Sequence, residues 1–582
     1  MDSYREQLDR SGIFRKYPFV LHKEMDGQNI FVNRLVGERN LFLSDIDGLQ
    51  GDNIACLYIF ASSFERQGLL DTIAMWQLQS CPYHRCVIVT EGCDDKIIKQ
   101  FARDSVPGQV EVTQDIYKHI RGENESIFSL FALPGDVLHP SLIATLKRLE
   151  LDDTPDIVVW NLETVTDDYN HPVEFLRRPD YEKYTLPHID YIGTTFAIRN
   201  SRLIENLSEK VSFFDEHAMY LLQLQLALDK SVKWRTYPEY FTLRPEKNFR
   251  SLSSNVVGSY NAELESLLRQ LFDGFSFSIR GTSNIHVSLH PSKKARGISV
   301  IIPFKDKPEI TCKSLGRVLK QRFTPDLEVL LVNNNSSPSS LMELKNFISS
   351  HQGQCQGGKV DIQILDYSFP FNHSRQCNIA VMRAKHEVLI FLNNDAYLCS
   401  DNIIEELSAW ALLDDVGIVG CRIVDAEGQL VSAGMKLEIK HGHDFSSAIK
   451  ESTDETFSKV ARETIGNTFA CAAIERSLFM KMGPLDEIDF PNGYNDAEYN
   501  LRLRSRGYRN IYLGYLEVEH TPGTSRESVE EFYQKIRLRE KYPEIWTQAS
   551  KQLENDRFLV KQWGKRNRIS FFTGKLVKSL WR

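Results

Sequence analysis

From Ile54 onward, short apolar runs alternate with amphipathic stretches at helical spacing. Ile54–Ala61 is predicted as a strand, Gly68–Gln79 as a helix and Cys86–Val89 as a second strand. Apolar strands separated by crossover helices predict a largely parallel sheet. The alternation breaks at 288–297, where Pro291 stands beside Lys293, Lys294 and Arg296, a composition expected of a linker. It restarts at Ile298.

The restart looks like a repeat. Ile54–Phe60, a helix and Cys86-Val-Ile-Val-Thr-Glu-Gly92 parallel Ile298–Phe304, a helix and Glu328-Val-Leu-Leu-Val-Asn-Asn334. Phe128-Ser-Leu-Phe-Ala-Leu-Pro-Gly-Asp136 parallels Val388-Leu-Ile-Phe-Leu-Asn-Asn-Asp395. Ile192-Gly-Thr-Thr-Phe-Ala197 resembles Ile465-Gly-Asn-Thr-Phe-Ala470, and Tyr237-Pro-Glu-Tyr240 resembles Tyr512-Leu-Gly-Tyr515. Four matches in one order predict two copies of one α/β domain. The expected organisation is an extension over 1–50, a first copy over 51–287, the linker 288–297, a second copy over 298–527 and a helical tail over 528–582.

Composition narrows the picture. The 582 residues are 42% hydrophobic and 25% charged, which excludes a disordered or low-complexity chain. A net charge of −8 gives no global case for nucleic-acid binding. Ten cysteines without a C-x-x-C pair predict reduced thiols rather than a disulfide framework or zinc site. Met1–Lys16 has no apolar h-region, and the longest apolar runs fall far short of the ~20 residues of a spanning helix. A cytoplasmic protein is expected, soluble or peripheral on the inner face of the plasma membrane.

In the second copy, polar clusters follow three successive strands: Pro303-Phe-Lys-Asp306, Asn333-Asn-Asn-Ser336 and Asn393-Asn-Asp395. Parallel strands end at one edge, and ligands bind in the crevice beyond it. Amides and carboxylates there suit a base, a ribose or a divalent ion, although any one cluster equally suits loop capping. Downstream, Asp496 opens a helix, where the macrodipole favours an ionised carboxylate. A base and a simple N-cap both fit that position. His520 follows the predicted strand Ile511–Val518.

Phe371-Asn-His-Ser-Arg-Gln-Cys-Asn378, Phe391-Leu-Asn-Asn-Asp-Ala396, Asn495-Asp496 and Glu519-His520 together resemble an inverting glycosyltransferase of family 2. The resemblance runs from Ile298 to about Arg526. It is nearest to bacterial enzymes of O-antigen, capsule and related cell-surface polysaccharides, including rhamnosyltransferase-like members. It implies two tandem GT-A domains, of the Rossmann-like nucleotide-diphospho-sugar transferase fold, with a helical tail. It implies a UDP- or dTDP-sugar donor, a glycan or lipid-linked glycan acceptor, and Mg²⁺ or Mn²⁺. The family's Asp-x-Asp element reads Asn393-x-Asp395 here, and His520 resembles a second metal ligand. Asp496 takes the place of the base. Pro303, Asp306, Asn333, Asn334, Arg375, Asn393 and Asn394 are expected to bind the nucleotide-sugar, with Asn333 and Asn334 where the family usually has Asp. Asn495, Asn467 and His443 are expected on the acceptor side. The Gln/Arg-x-x-Arg-Trp element of processive members is missing, so one or few sugars per encounter are expected.

Projected onto the first copy, Asp136 stands opposite Asp395 and Pro134 opposite Asn393. Leu221 and Leu222 fall opposite Asp496, with Asp215 and Glu216 upstream, and no His matches His520 near Arg244 and Pro245. The first copy is therefore expected to be a degenerate domain that packs, dimerises or holds acceptor glycan. A second transferase, or a glycan-binding scaffold without catalysis, is the alternative. A nucleotidyltransferase would need a Gly-rich loop that Pro303–Pro308 lacks. From Arg557 to Arg582, eight basic residues and no acid interleave with aromatic and aliphatic residues, predicting a basic amphipathic helix for an anionic membrane surface or a partner. A homo-oligomer is compatible with the reading.

Overall fold

The computed structural model describes residues 54–545 apart from internal stretches, chiefly 207–215, 251–259, 281–285, 352–358, 439–447, 453–457 and 521–528. The 1–50 extension, the loop with His443, and the basic stretch 557–582 lie outside the described residues. The chain forms two compact units, the first within residues 1–272 and the second built mainly from 286–553.

In the first unit, β1 (Ala55–Phe60), β2 (His84–Val89), β3 (Glu111–Thr113), β4 (Phe128–Ala132), β5 (Val137–Leu138), β6 (Ile157–Val165), β7 (Pro172–Leu176), β8 (Phe196–Arg199) and β9 (Trp234–Pro245) form one mixed sheet. Its order is β3-β2-β1-β4-β8-β6-β9-β5, with β7 on β6. β1 is buried at every residue, as expected of a central parallel strand covered on both faces. Leu57, Ile59, Trp76, Leu130 and Trp160 lie in its core.

A hairpin of β10 (Phe275–Arg280) and β11 (His286–Pro291) belongs to the second unit. There Phe275 meets Trp410 edge to face, and Lys293 donates to the Leu412 carbonyl at 2.9 Å. The stretch 288–297, expected as a linker, thus begins inside a paired strand, with Leu289 buried and Lys293, Lys294 and Arg296 exposed after it.

The second unit carries β12 (Gly297–Phe304), β13 (Asp326–Asn333), β14 (Val360–Asp366), β15 (Val388–Leu392), β16 (Tyr397–Leu398), β17 (Val416–Val424), β18 (Leu430–Ser432), β19 (Met435–Glu438), β20 (Ala448–Glu451), β21 (Ala461–Thr464), β22 (Cys471–Glu475) and β23 (Arg509–Glu519), of which all but the β19–β20 ribbon form the second sheet. Its order is β14-β13-β12-β15-β22-β17-β23-β16, with β18 on β17 and β21 on β23. Strand for strand, this is the path of the first sheet. The repeat read from sequence is a repeat of topology, and both units are α/β.

One sequence match is not a structural one. Ala197 pairs with Leu130 inside β8, whereas Ala470 precedes β22, and Ala473 is the residue that pairs with Ile390. The similar hexapeptides at 192 and 465 are therefore out of place relative to each other. All seven described cysteines are free. No helix among the described residues is long and apolar enough to cross a membrane.

Candidate active site

β12, β13 and β15 run parallel, so their carboxyl ends, and the polar clusters that follow them, share one edge. At β15, the turn Asn393–Ala396 closes with Ala396 N–H on the Asn393 carbonyl at 3.1 Å. It presents Asp395, 41% exposed, to His520, 13% exposed, at 3.2 Å between Oδ1 and Nε2. Asn393 Nδ2 lies 3.4 Å from the same Nε2. His520 arrives there because β23 pairs with β16, Glu519 opposite Tyr397, and its own N–H is fixed on the Val424 carbonyl.

Asp496 lies in the first turn of the helix Asn495–Arg504. Tyr494, at φ 55°, is the left-handed residue that swings the chain into that helix. One carboxylate oxygen takes the Ala497 N–H at 2.8 Å and the other takes the Phe469 N–H at 3.4 Å. The neighbouring Ala470 carbonyl accepts the Asn393 N–H at 3.0 Å. A single turn, 469–470, thus anchors Asp496 on one side and the Asn393–Asp395 turn on the other. That turn is held rigid by Phe469, whose ring stacks on Phe391 at 4.8 Å over a core shared with Phe479 and Tyr499.

Beyond β12, Pro303 is half-buried in the strand and Asp306 takes the Ser337 N–H at 2.7 Å, joining the first two strand-end loops. Asn333 is committed, donating to Asp366 at 3.0 Å and accepting from Ser336 N–H. Asn334 differs: it is buried and its Nδ2 has no partner. A buried amide donor left unmade costs free energy, so an acceptor supplied by a ligand at this strand end would be favourable. Asn394 donates to Thr311 Oγ1 at 3.2 Å. Arg375 is paired with Glu487 at 2.7 Å on an exposed rim, and Glu487 raises its pKa.

Two residues expected on the acceptor side are instead internal. Asn467 is buried and donates to the Ile511 carbonyl at 3.0 Å, tying its loop to β23. Asn495 is buried, accepts the Asp496 N–H, and donates to Ser374 Oγ at 3.1 Å. Asn467 thus binds a backbone carbonyl and Asn495 a helix-end N–H.

Glu451 carries no sequence signal and belongs here. It pairs directly with Met435 across the β19–β20 ribbon, so the two side chains leave on one face. Met435 packs with Ala497 and Leu501, which turns that face toward the helix of Asp496. Ser432 Oγ donates to Glu451. Burial first, and then the Asp496 carboxylate, push the Glu451 carboxyl up to about 8, against the lowering effect of that bond. A carboxyl with a raised folded-state pKa adds stability below its unfolded value and loses it as pH climbs through 8. The melting temperature of Glu451→Gln is therefore expected to gain on the parent between pH 5 and pH 9. Parallel melting curves over that range would contradict the placement.

The first unit departs from this site at every position. β4 and β15 are followed by the two-residue strands β5 and β16 over turns of equal length, and Asp136 N–H closes on the Leu133 carbonyl as Ala396 does on Asn393. Leu133, Pro134, Gly135 and Asp136 therefore stand where Asn393, Asn394, Asp395 and Ala396 do. The alignment of Asp136 with Asp395 is one residue out, because the turn and not the acid sets the register. Val137 pairs with Leu243 as Tyr397 pairs with Glu519, which puts Arg244 at the place of His520. Counted back from the helix ends at Leu228 and Arg504, Tyr220, and neither Leu221 nor Leu222, stands at Asp496. Its hydroxyl donates to the Leu186 and Pro187 carbonyls. Asp215 lies outside the described residues.

Residues 299–483 match the family model described as Glycosyl transferase family 2. The chain is similar to the O-antigen biosynthesis protein RfbC of Myxococcus xanthus, 26% identical over 456 residues, which are 76% of this chain and 34% of that protein. It is also similar to the uncharacterized protein y4gI of Sinorhizobium fredii, 25% identical over 243 residues, 41% of this chain and 26% of that one. The chain thus spans about a third or less of the length of these curated relatives. Among solved structures it overlaps the mannosyltransferase PcManGT from Pyrobaculum calidifontis in complex with GDP-Man and Mn²⁺ at 16% identity and TM-score 0.29, covering 40% of this chain and 59% of that one. It overlaps S. aureus TarS 1-349 in complex with UDP-GlcNAc at 15% identity and TM-score 0.30, covering 48% and 74%.

Proposed function

We propose that this chain, whose second unit carries a family 2 glycosyltransferase domain, moves a sugar from a nucleotide-diphospho-sugar to a glycan or lipid-linked glycan acceptor. The observation that carries the proposal is the shared 469–470 turn, which fixes a carboxylate at a helix N-terminus beside an Asp–His pair at the strand-end crevice. The name of the M. xanthus relative favours an O-antigen-like polysaccharide as the destination.

Asp496 accepts the proton of an acceptor hydroxyl as that oxygen bonds to the anomeric carbon. The carbon–oxygen bond to the diphosphate breaks on the opposite face, so the configuration inverts and the nucleoside diphosphate leaves with the electron pair. Three features keep Asp496 fit for this: the helix N-terminus favours its ionised form, its two accepted N–H bonds hold it in place, and its half-buried setting limits water. Asn334 offers its unpaired amide N–H to a carbonyl of the base. Asp306 and Asn333 hold the two loops that frame the ribose.

Asp395 and His520 fit a divalent cation. A carboxylate oxygen and an imidazole nitrogen 3.2 Å apart give a partial ligand set that diphosphate oxygens would complete, the habit of Mg²⁺ and Mn²⁺ sites. When bound there, the cation supplies charge neutralisation and Lewis acidity to the leaving diphosphate.

Donor binding tests the assignment. Titration with UDP and dTDP is expected to show binding that needs Mg²⁺ or Mn²⁺, is lost in Asp395→Ala, and weakens about tenfold in Asn334→Ala, the loss of one hydrogen bond of roughly 1.4 kcal/mol. Metal-independent binding unchanged in both variants would remove the site from this edge. The alternative of two active units meets no support in the first sheet, where Gly135, Arg244 and Tyr220 replace all three groups.

A further inference from the structure

Arg244 does more than take the place of His520. Its side chain is 4% exposed and grips Asp136, 1% exposed, through two bonds, Nε to Oδ1 at 2.9 Å and Nη2 to Oδ2 at 2.7 Å. A further bond runs from Nη2 to Thr194 Oγ1 at 2.5 Å. Gly135, at the position of Asp395, offers no side-chain oxygen. The helix Arg66–Trp76 presses on the same turn: Gly68 accepts the Gly135 N–H at 2.9 Å, and a Cβ at Gly68 would come within 2.9 Å of the Pro134 carbonyl carbon.

We infer that, among the described residues, the turn after β4 holds no divalent cation and that the Arg244 guanidinium is its built-in replacement there, so the two sheets share one such cation site and not two. The inference rests on the reading of Asp395 and His520 as a cation site in the second unit. In both units something positive joins the turn after the fourth strand to the end of the long edge-side strand. In the first it is a fixed guanidinium whose fork matches a carboxylate in two bonds. In the second, Asp395 and His520 would hold an exchangeable ion in that place. A divalent ion entering the first unit would have to break the two-bond pair between this buried guanidinium and its carboxylate, which is strongly disfavoured. The turn-to-strand tie is therefore permanent in the first unit and ligand-dependent in the second.

The test counts ions. Free Mn²⁺ is followed by electron paramagnetic resonance during titration of the full chain and of the Asp395→Ala/His520→Ala double variant, with circular-dichroism melts to establish that both are folded. Asp395→Asn provides an isosteric single variant should the double one not fold. The full chain is expected to take up one ion, and the folded variants none at that site. One ion retained by the double variant, or two by the full chain, overturns the inference. A full chain that takes up none supports it for the first unit and overturns the reading of the second.

Discussion

Asp496→Asn is expected to lower turnover by about 10²–10⁴-fold while leaving the fold and donor affinity nearly unchanged. Asparagine keeps the shape and can still accept the Phe469 and Ala497 N–H bonds through its single carbonyl oxygen, although not both as the carboxylate does. What it loses is the ability to take a proton. The effect should therefore fall on kcat with acceptor present, and the nucleotide-binding curve should not move. Turnover within a factor of three of the parent would mean that the proton goes elsewhere. The position of Glu451 makes it the first alternative to examine, since it is the other carboxyl on that face.

The second large effect is on stability. Asp136→Ala removes the carboxylate that the buried Arg244 grips through Nε and Nη2. Breaking a buried pair from one side costs about 3–5 kcal/mol, because the surviving charge is stranded. Replacing both members with apolar residues of similar volume, as in Asp136→Leu/Arg244→Met, is expected to recover most of that loss. Hydrogen exchange of the amides in β4, β5 and β9 reads the effect in the first unit alone. Full protection in Asp136→Ala would show that the pair is not the tie described above. The contrast between single and double variants separates a stranded charge from a simple loss of packing.

How far the sequence could be read depends on the kind of interaction. Strands with continuous apolar runs, such as Val388–Leu392, are legible because burial on both faces leaves no room for a polar residue. The repeat of one α/β unit followed from such runs, whereas the order of the strands and the antiparallel pairs of β22 and β8 did not. The strand-end acids were legible too, since parallel strands deliver their ends to one edge. Register was not. Asp136 looked like the partner of Asp395 because both end a strand, yet the turn hydrogen bond sets their places one residue apart. The hexapeptides at 192 and 465 looked equivalent through composition, while strand pairing puts them out of phase.

Buried amides are a second kind of residue that the sequence alone does not place. Asn467 and Asn495 carry the same chemistry as a ligand-binding amide, and only their burial and backbone partners reveal that they close loops and helix ends. Glu451 was invisible for the opposite reason. It sits on a short ribbon remote in sequence from Asp496, and its meaning comes from facing Ala497 beside Met435, a long-range arrangement with no local pattern. Arg244 shows both effects at once: an arginine where a histidine was sought reads as a loss, whereas the structure pairs its guanidinium with a buried carboxylate.

The most direct measurement is release of nucleoside diphosphate from UDP-, dTDP- and GDP-sugars with Mg²⁺ or Mn²⁺, comparing the parent chain with Asp496→Asn. The account predicts slow, metal-dependent release from one donor that is lost in the variant. Release that is equal in the two proteins, or no nucleotide binding to the parent at all, would contradict a transferase site at Asp496.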